Sequence, residues 1–195
     1  MNTQITPLFS SSNAAMLLID HQIGTMGWVK SADLDWVKKY TVALAKAAQD
    51  IKMPLILSSS MEDQVQGLLF DELREAVPIA YQNRIQRAGI VDSMKDDNFA
   101  QAVKDTGRQN LIMAGITTDV CVVFPAMTAI AQGYSVQVVV DACGSPTSMS
   151  DDIALRRMES AGVILTTTSQ LIAELARDWT SEDGSKLIQI GLSIL

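Results

Sequence analysis

Cysteine and histidine are scarce in this chain, with two Cys and one His among 195 residues. Two cysteines, Cys121 and Cys143, cannot build a disulfide framework, and so sparing a use of thiols points to a reducing compartment, the cytoplasm. Basic residues are also short, 15 against 22 acidic ones, and nowhere form a cluster. That argues against sequence-independent binding to nucleic acid or to an anionic membrane surface. No apolar run approaches bilayer-spanning length, and Met1 to Ser12 lacks the basic residues and apolar core of a signal peptide. Phosphate loops are missing too, since no Gly-x-Gly-x-x-Gly or Walker pattern occurs. What is present is 48% apolar against 19% charged residues, the composition of a folded, soluble protein. The length suggests one domain, residues 1–195.

The chain alternates apolar runs with amphipathic stretches. Ala14 to Ile19 is continuously apolar and closes on Asp20-His21-Gln22, the pattern of a parallel strand buried on both faces. From Asp33 to Gln49, Trp36, Val37, Tyr40, Leu44, Ala45 and Ala48 recur at helical spacing. Leu55 to Ser60 reads as a second buried strand. Met61 to Ala76 reads as a loop with a short helix, Val77 to Ile85 as holding a short strand, and Arg84 to Gly89 as a basic turn. Asp96 and Asp97 are placed to cap a helix that turns Phe99 and Val103 inward. A strand at Leu111 to Ala114, a helix from about Asp119 to Gln132 and a strand at Val136 to Val140 make a βαβ unit. Ser150 reads as the cap of a further helix, Val163 to Thr167 as a strand, and Ser169 to Arg177 as a last helix. In the tail, Ile188, Ile190, Leu192 and Ile194 alternate with smaller or polar residues, which suggests an edge strand or an oligomer arm over about 183–195. The alternation implies a mostly parallel sheet with helices on both faces, with chemistry at the carboxyl ends of the strands.

Polar residues stand at those ends: Asp20, the pair Arg84 and Arg87, and Cys121. A carboxylate close to a thiol can take its proton, and a nearby cation can hold both in place. The stretch Leu111 to Phe124 turns at Gly115 into a helix start where Thr118-Asp119 resemble an N-cap. Cys121 would then lie near the positive end of a helix dipole, where free backbone N–H groups lower a thiol pKa and cradle an oxyanion. The plainer alternative is a cysteine packed as a small hydrophobe. Asp20 likewise could cap the next segment, and Arg87 could be half of a solvated ion pair. Cys143, after another strand at the same edge, reads as a packing residue or, if close to Cys121, as its partner in a redox bridge.

Four segments together resemble a known family: Leu17-Leu-Ile-Asp-His-Gln22, Arg87-Ala-Gly89, Ala114-Gly-Ile-Thr-Thr-Asp-Val-Cys-Val122 and Val139-Val-Asp-Ala142. They are similar to the isochorismatase-like cysteine hydrolases, most closely the YcaC-like branch, in order over roughly residues 14 to 180. The resemblance implies a three-layer α/β/α, Rossmann-like fold with a six-stranded, mostly parallel sheet. It also implies a triad acting on carbon–nitrogen bonds of small amides, with Asp20 as general base, Cys121 as nucleophile and Arg87 as the basic member. Most of the superfamily has lysine at that last place; arginine stays charged and can act only through its field and hydrogen bonds. A cis peptide at Ile116–Thr117 is implied as well, turning the Thr117 and Cys121 N–H groups toward one point as an oxyanion hole. Nicotinamidase-type relatives bind a metal through an Asp and two histidines; with His21 alone, neither a metal nor another cofactor is expected. Relatives that cleave the vinyl ether of isochorismate lack the active cysteine, so Cys121 argues against that chemistry.

His21, Gln22, Trp28 and Met61 are candidates for substrate binding, with packing roles as their alternatives. The resemblance further implies a homo-oligomer, an octamer. The expected activity is hydrolysis of a small amide through a Cys-linked acyl intermediate. The competing expectation is a catalytically idle, oligomeric binding or scaffold protein, which the arginine at 87 favours.

Overall fold

In a computed structural model, residues 8–195 are described; positions 1–7, part of the segment read as lacking a signal peptide, lie outside the described residues. The first strand, β1 (Ala14–Ile19), is buried at every position, as an apolar run covered on both faces requires. A short helix α1 (Ile23–Met26) leads to α2 (Leu34–Asp50). Asp33 starts α2 by accepting the N–H groups of Asp35 and Trp36 at 2.9 and 3.4 Å, satisfying donors that a helix start leaves free. The stripe Val37, Thr41, Leu44, Ala45 and Ala48 is buried. Next come β2 (Leu55–Ser60), α3 (Asp71–Ala76), α4 (Pro78–Gln82) and β3 (Ile85–Arg87). Two expectations fail here. The stretch from Val77 is a helical turn, because Pro78 sits in its first turn, where a fixed φ and a missing N–H cost nothing. The supposed basic turn is an edge strand paired with β2.

The second half runs α5 (Asp97–Asp105), β4 (Asn110–Gly115), α6 (Val123–Ala131), β5 (Ser135–Val139), α7 (Ser148–Ser160), β6 (Ile164–Thr166), α8 (Thr168–Ala176) and α9 (Glu182–Ser193). Asp96 caps α5 through the Phe99 N–H at 3.0 Å. Thr147, rather than Ser150, caps α7, accepting the Ser150 N–H at 3.0 Å.

The tail is the larger correction: it is helix α9, not an edge strand. Ser181 accepts the Gly184 N–H at 3.0 Å, Glu182 and Asp183 lie in the first turn, and Leu187, Ile190 and Ile194 form the buried face at helical spacing. That face packs on α8 and α2.

All six strands are parallel, in the order β3-β2-β1-β4-β5-β6. Helices α2, α8 and α9 lie together on one side, and α5, α6 and α7 on the other, giving three α/β/α layers. The winding reverses between β1 and β4, the switch point at which open parallel sheets leave a crevice beyond their carboxyl ends. Among the described residues no helix is long and apolar enough to cross a membrane.

Candidate active site

Four neighbouring strands, β3, β2, β1 and β4, deliver four polar side chains to that crevice. The register aligns Ser60 with Arg87, Ser58 with Ile19 and Ile19 with Gly115, so Arg87, Ser58 and Asp20 come from adjacent strands, and Cys121 follows just beyond β4. Gly115 allows the close approach at the strand end: a Cβ there would lie 2.5 Å from the Ile19 carbonyl oxygen. Asp20 has φ 56°, in the left-handed region that aspartate tolerates better than most residues. Its Oδ2 accepts from Arg87 Nη2, and its Oδ1 accepts the Ser58 hydroxyl at 2.9 Å. The Asp20 and Arg87 side chains are 2% and 1% exposed, so each charge depends on the other: stranding one would cost roughly 3–5 kcal/mol.

Burial raises the Asp20 pKa above the usual carboxylate value, against the opposing pull of Arg87, Ser58 and Cys121. The Cys121 thiol, part-exposed, lies close enough to this carboxylate for the two to shift one another's titration. It is pushed up to about 12, first by burial and then by the Asp20 charge, while the Thr117 N–H and Arg87 pull the other way.

This reverses the low thiol pKa expected at a helix start: burial and the Asp20 charge raise it, and the backbone offers little to oppose them. The chain enters α6 through a wide turn, Thr118–Val122, in which the Val120, Cys121 and Val122 N–H groups all donate to the Thr117 carbonyl, at 3.3, 2.8 and 3.2 Å. Thr118 N–H donates to the Gly144 carbonyl at 2.9 Å and Asp119 N–H to Ser145 Oγ at 3.3 Å. The donors that a helix N-terminus would offer to a thiolate are spent. Thr118 and Asp119 make no cap: Thr118 Oγ1 and Asp119 Oδ1 are buried without a partner. Of the two N–H groups expected to form an oxyanion hole, that of Cys121 is engaged by the Thr117 carbonyl, while that of Thr117 helps lower the thiol pKa. The Ile116–Thr117 peptide is cis.

The substrate-binding candidates separate. His21 is fully buried, its Nε2 2.9 Å from the Ala142 carbonyl oxygen, and burial lowers its pKa to about 4, so it is a neutral packing residue. Gln22 is buried as well and is consumed as a clamp: its Oε1 accepts the Ser60 N–H at 2.8 Å and its Nε2 donates to the Ser60 and Gly67 carbonyls. It thereby fixes the loop after β2, on which Gly24 packs so closely that a Cβ would sit 1.8 Å from the Val65 oxygen. Trp28 is half exposed and lies outside the cavity beside Arg87. Met61 does line that cavity and is tied to β3 through its N–H on the Arg87 carbonyl at 3.0 Å. Arg84 is excluded from the constellation by a bidentate pair with Glu62. Cys143 is sealed, its sulfur donating to the Val139 carbonyl at 3.2 Å and accepting from the Gly115 N–H at 3.4 Å. Among the described residues no three His, Cys, Asp or Glu side chains cluster as metal ligands.

A match to the isochorismatase domain spans residues 14–170. The chain belongs to the isochorismatase family. Within it the chain falls in the YcaC-like branch of hydrolases: it is 37% identical to the probable hydrolase YcaC of Escherichia coli K12 over 171 residues, 88% of this chain and 81% of that protein. The crystal structure of the Escherichia coli YcaC gene product, described as an octameric hydrolase of unknown specificity, superposes with a TM-score of 0.92 at 36% identity, covering 99% of this chain and 93% of that one. The YcaC structure from Pseudomonas aeruginosa with hexane-2,5-diol and covalent acrylamide gives 0.86 at 38% identity, covering 92% and 90%.

In this isochorismatase-family chain, Ser58 is the site residue that sequence reasoning passed over. Its signal was present, a polar Ser58-Ser59-Ser60 ending an apolar strand, but any of the three could have pointed at the acid. Only the register with β1 selects Ser58.

Proposed function

We propose that this protein hydrolyses the C–N bond of a small amide through an acyl-thioester on Cys121. The observation that carries the reading is a part-exposed thiol coupled to a buried carboxylate whose own pKa burial has raised, which makes that carboxylate a stronger base. With burial and the Asp20 charge pushing the thiol up to about 12, it stays protonated at pH 7. The thiolate is therefore made during the reaction: Asp20 takes the thiol proton as sulfur bonds to the carbonyl carbon. Negative charge developing on oxygen is met by the Thr117 N–H, and by the Cys121 N–H only if that group lets go of the Thr117 carbonyl as the oxyanion forms. The C–N bond then breaks, and the leaving nitrogen takes the proton from Asp20. Water, losing its proton to Asp20, attacks the thioester; sulfur leaves, is reprotonated by Asp20, and a carboxylic acid is released. Arg87 holds Asp20 in line and stays charged throughout.

The covalent acrylamide in the Pseudomonas aeruginosa relative supports a nucleophile that accepts small amide-bearing electrophiles. The test is ammonia release from a panel of small primary amides: Cys121→Ala abolishes turnover, and full activity in that variant sinks the scheme. A second reading, an idle scaffold, is favoured by the raised thiol pKa; it wins if no amide turns over and no electrophile labels Cys121. We also place the chain in a homo-octamer, as in the Escherichia coli relative. Light scattering should then give the mass of eight 21.1 kDa chains. The two free thiols suit the reducing cytoplasm.

A further inference from the structure

A cavity of about 660 Å³ opens beside Arg87, walled by Met61, Glu62, Asp63, Gln64, Leu68 and Gln86. Its cations are committed elsewhere. Glu62 accepts from Arg84 Nε and Nη2 at 2.5 and 2.7 Å, and Arg84 Nη1 donates to the Tyr81 carbonyl at 3.0 Å. Arg87 gives Nη2 to Asp20 and Nη1 to the Ile90 carbonyl; its Nε has no partner but is buried, and the whole side chain is sealed from solvent. Asp63 is the lining charge left over: its Oδ2 meets only the Gln64 amide, at 3.2 Å. The segments on either side add no cation, since 61–70 and 116–124 contain Glu62, Asp63 and Asp119 but neither lysine nor arginine. The whole chain carries −7.

Given the cysteine reading above, on which this rests, we infer that the site selects uncharged small amides and rejects carboxylate-bearing substrates, isochorismate included, because among the described residues no lysine or arginine side chain at the cavity is open to an anion. A carboxylate entering there gives up water, gains no guanidinium or ammonium, and approaches Asp63. An uncharged amide keeps its N–H donors for Asp63 and the glutamine side chains, and lays its apolar part on Met61 and Leu68.

Iodoacetamide and iodoacetate present the same electrophilic carbon and differ in charge. With either, the sulfur–carbon bond forms, iodide leaves and the thiol proton passes to Asp20. The rate ratio at Cys121 in the full-length protein, resolved from Cys143 by mass spectrometry, is compared with the ratio for 2-mercaptoethanol under the same conditions. We expect iodoacetamide to be favoured about tenfold beyond the small thiol, the size of effect that one or two nearby charges exert. High salt should narrow that margin, as should Asp63→Asn. A ratio at or below that of the small thiol, with both reagents labelling Cys121, overturns the charge selection and leaves the cysteine reading intact. Labelling of Cys121 by neither reagent in the folded chain, with both reacting after denaturation, removes the cysteine reading and this inference with it.

Discussion

Cys121 and Cys143 follow neighbouring parallel strands, and burial pushes both thiols up to about 12, yet their surroundings differ. Cys143 is sealed, and its sulfur is held between the Gly115 N–H and the Val139 carbonyl. Cys121 is part-exposed and has a carboxylate against it. Burial alone therefore does not distinguish the two thiols; partial exposure and the neighbouring carboxylate do, and under the function proposed above these are what would make Cys121 the nucleophile.

The sharpest way to break the comparison is Asp20→Asn. Turnover should fall about a thousandfold, within the usual range for loss of a general base. The Cys121 thiol pKa should nevertheless drop, because the Asp20 charge is one of the causes that raise it, while Cys143, which feels Asp141 and Asp151 instead, should stay put. Alkylation rates against pH, followed separately for the two thiols, read both; a Cys121 inflection that does not move down would show that the acid and the thiol are uncoupled. The variant strands Arg87 at a cost of roughly 3–5 kcal/mol, so the titration belongs well below its melting temperature.

On the sealed side, His21 supports the segment that carries Cys143 through the Ala142 carbonyl. Its pKa is about 4 in the folded chain, against 6.5 for a histidine free in water. Between those values the unfolded chain binds more protons, so this stabilisation is lost as pH falls from about 6.5 to 4, by roughly 3 kcal/mol in all. Denaturant unfolding at both ends of that window should show the wild type losing this much more than His21→Gln. The Asp20 shift, raised and hence of opposite sign, is common to both proteins and drops out of the difference. Equal losses would mean that His21 is not buried neutral.

A smaller effect is expected from Ser58→Ala. Its hydroxyl favours the ionised form of Asp20, so its removal should lower kcat/KM about tenfold, the worth of one hydrogen bond to a charged group. It should also move the acidic limb of the pH–rate profile to higher pH. A Tm shift without movement of that limb would make Ser58 merely structural. Cys143→Ala completes the set, with turnover within about twofold of wild type and a stability loss near 1 kcal/mol.

Much of the architecture was legible because burial leaves local marks. A strand covered on both faces must be apolar throughout, so Ala14 to Ile19 and Leu111 to Ala114 stood out; Asp33 and Asp96 announced their helices because an exposed helix start needs an acceptor. The tail misled because Ile188, Ile190, Leu192 and Ile194 fit a period of two, whereas the face that packs uses Leu187, Ile190 and Ile194. Periodicity in so short a segment is settled by the surface it meets. The family motif around Cys121 singled out a thiol that the fold sets beside Asp20, but the helix N–H donors expected around it are closed on the Thr117 carbonyl.

The sequence alone determined the alternation of buried strands and amphipathic helices and the placing of an acid and a thiol at strand ends, because hydrophobic periodicity and capping are properties of adjacent residues. Tertiary structure alone decided that Arg87, Ser58, Asp20 and Cys121 stand side by side, that His21 and Gln22 are structural, and that burial holds the thiol protonated. Those outcomes depend on strand order, register and desolvation, which join residues tens of positions apart and leave no local trace.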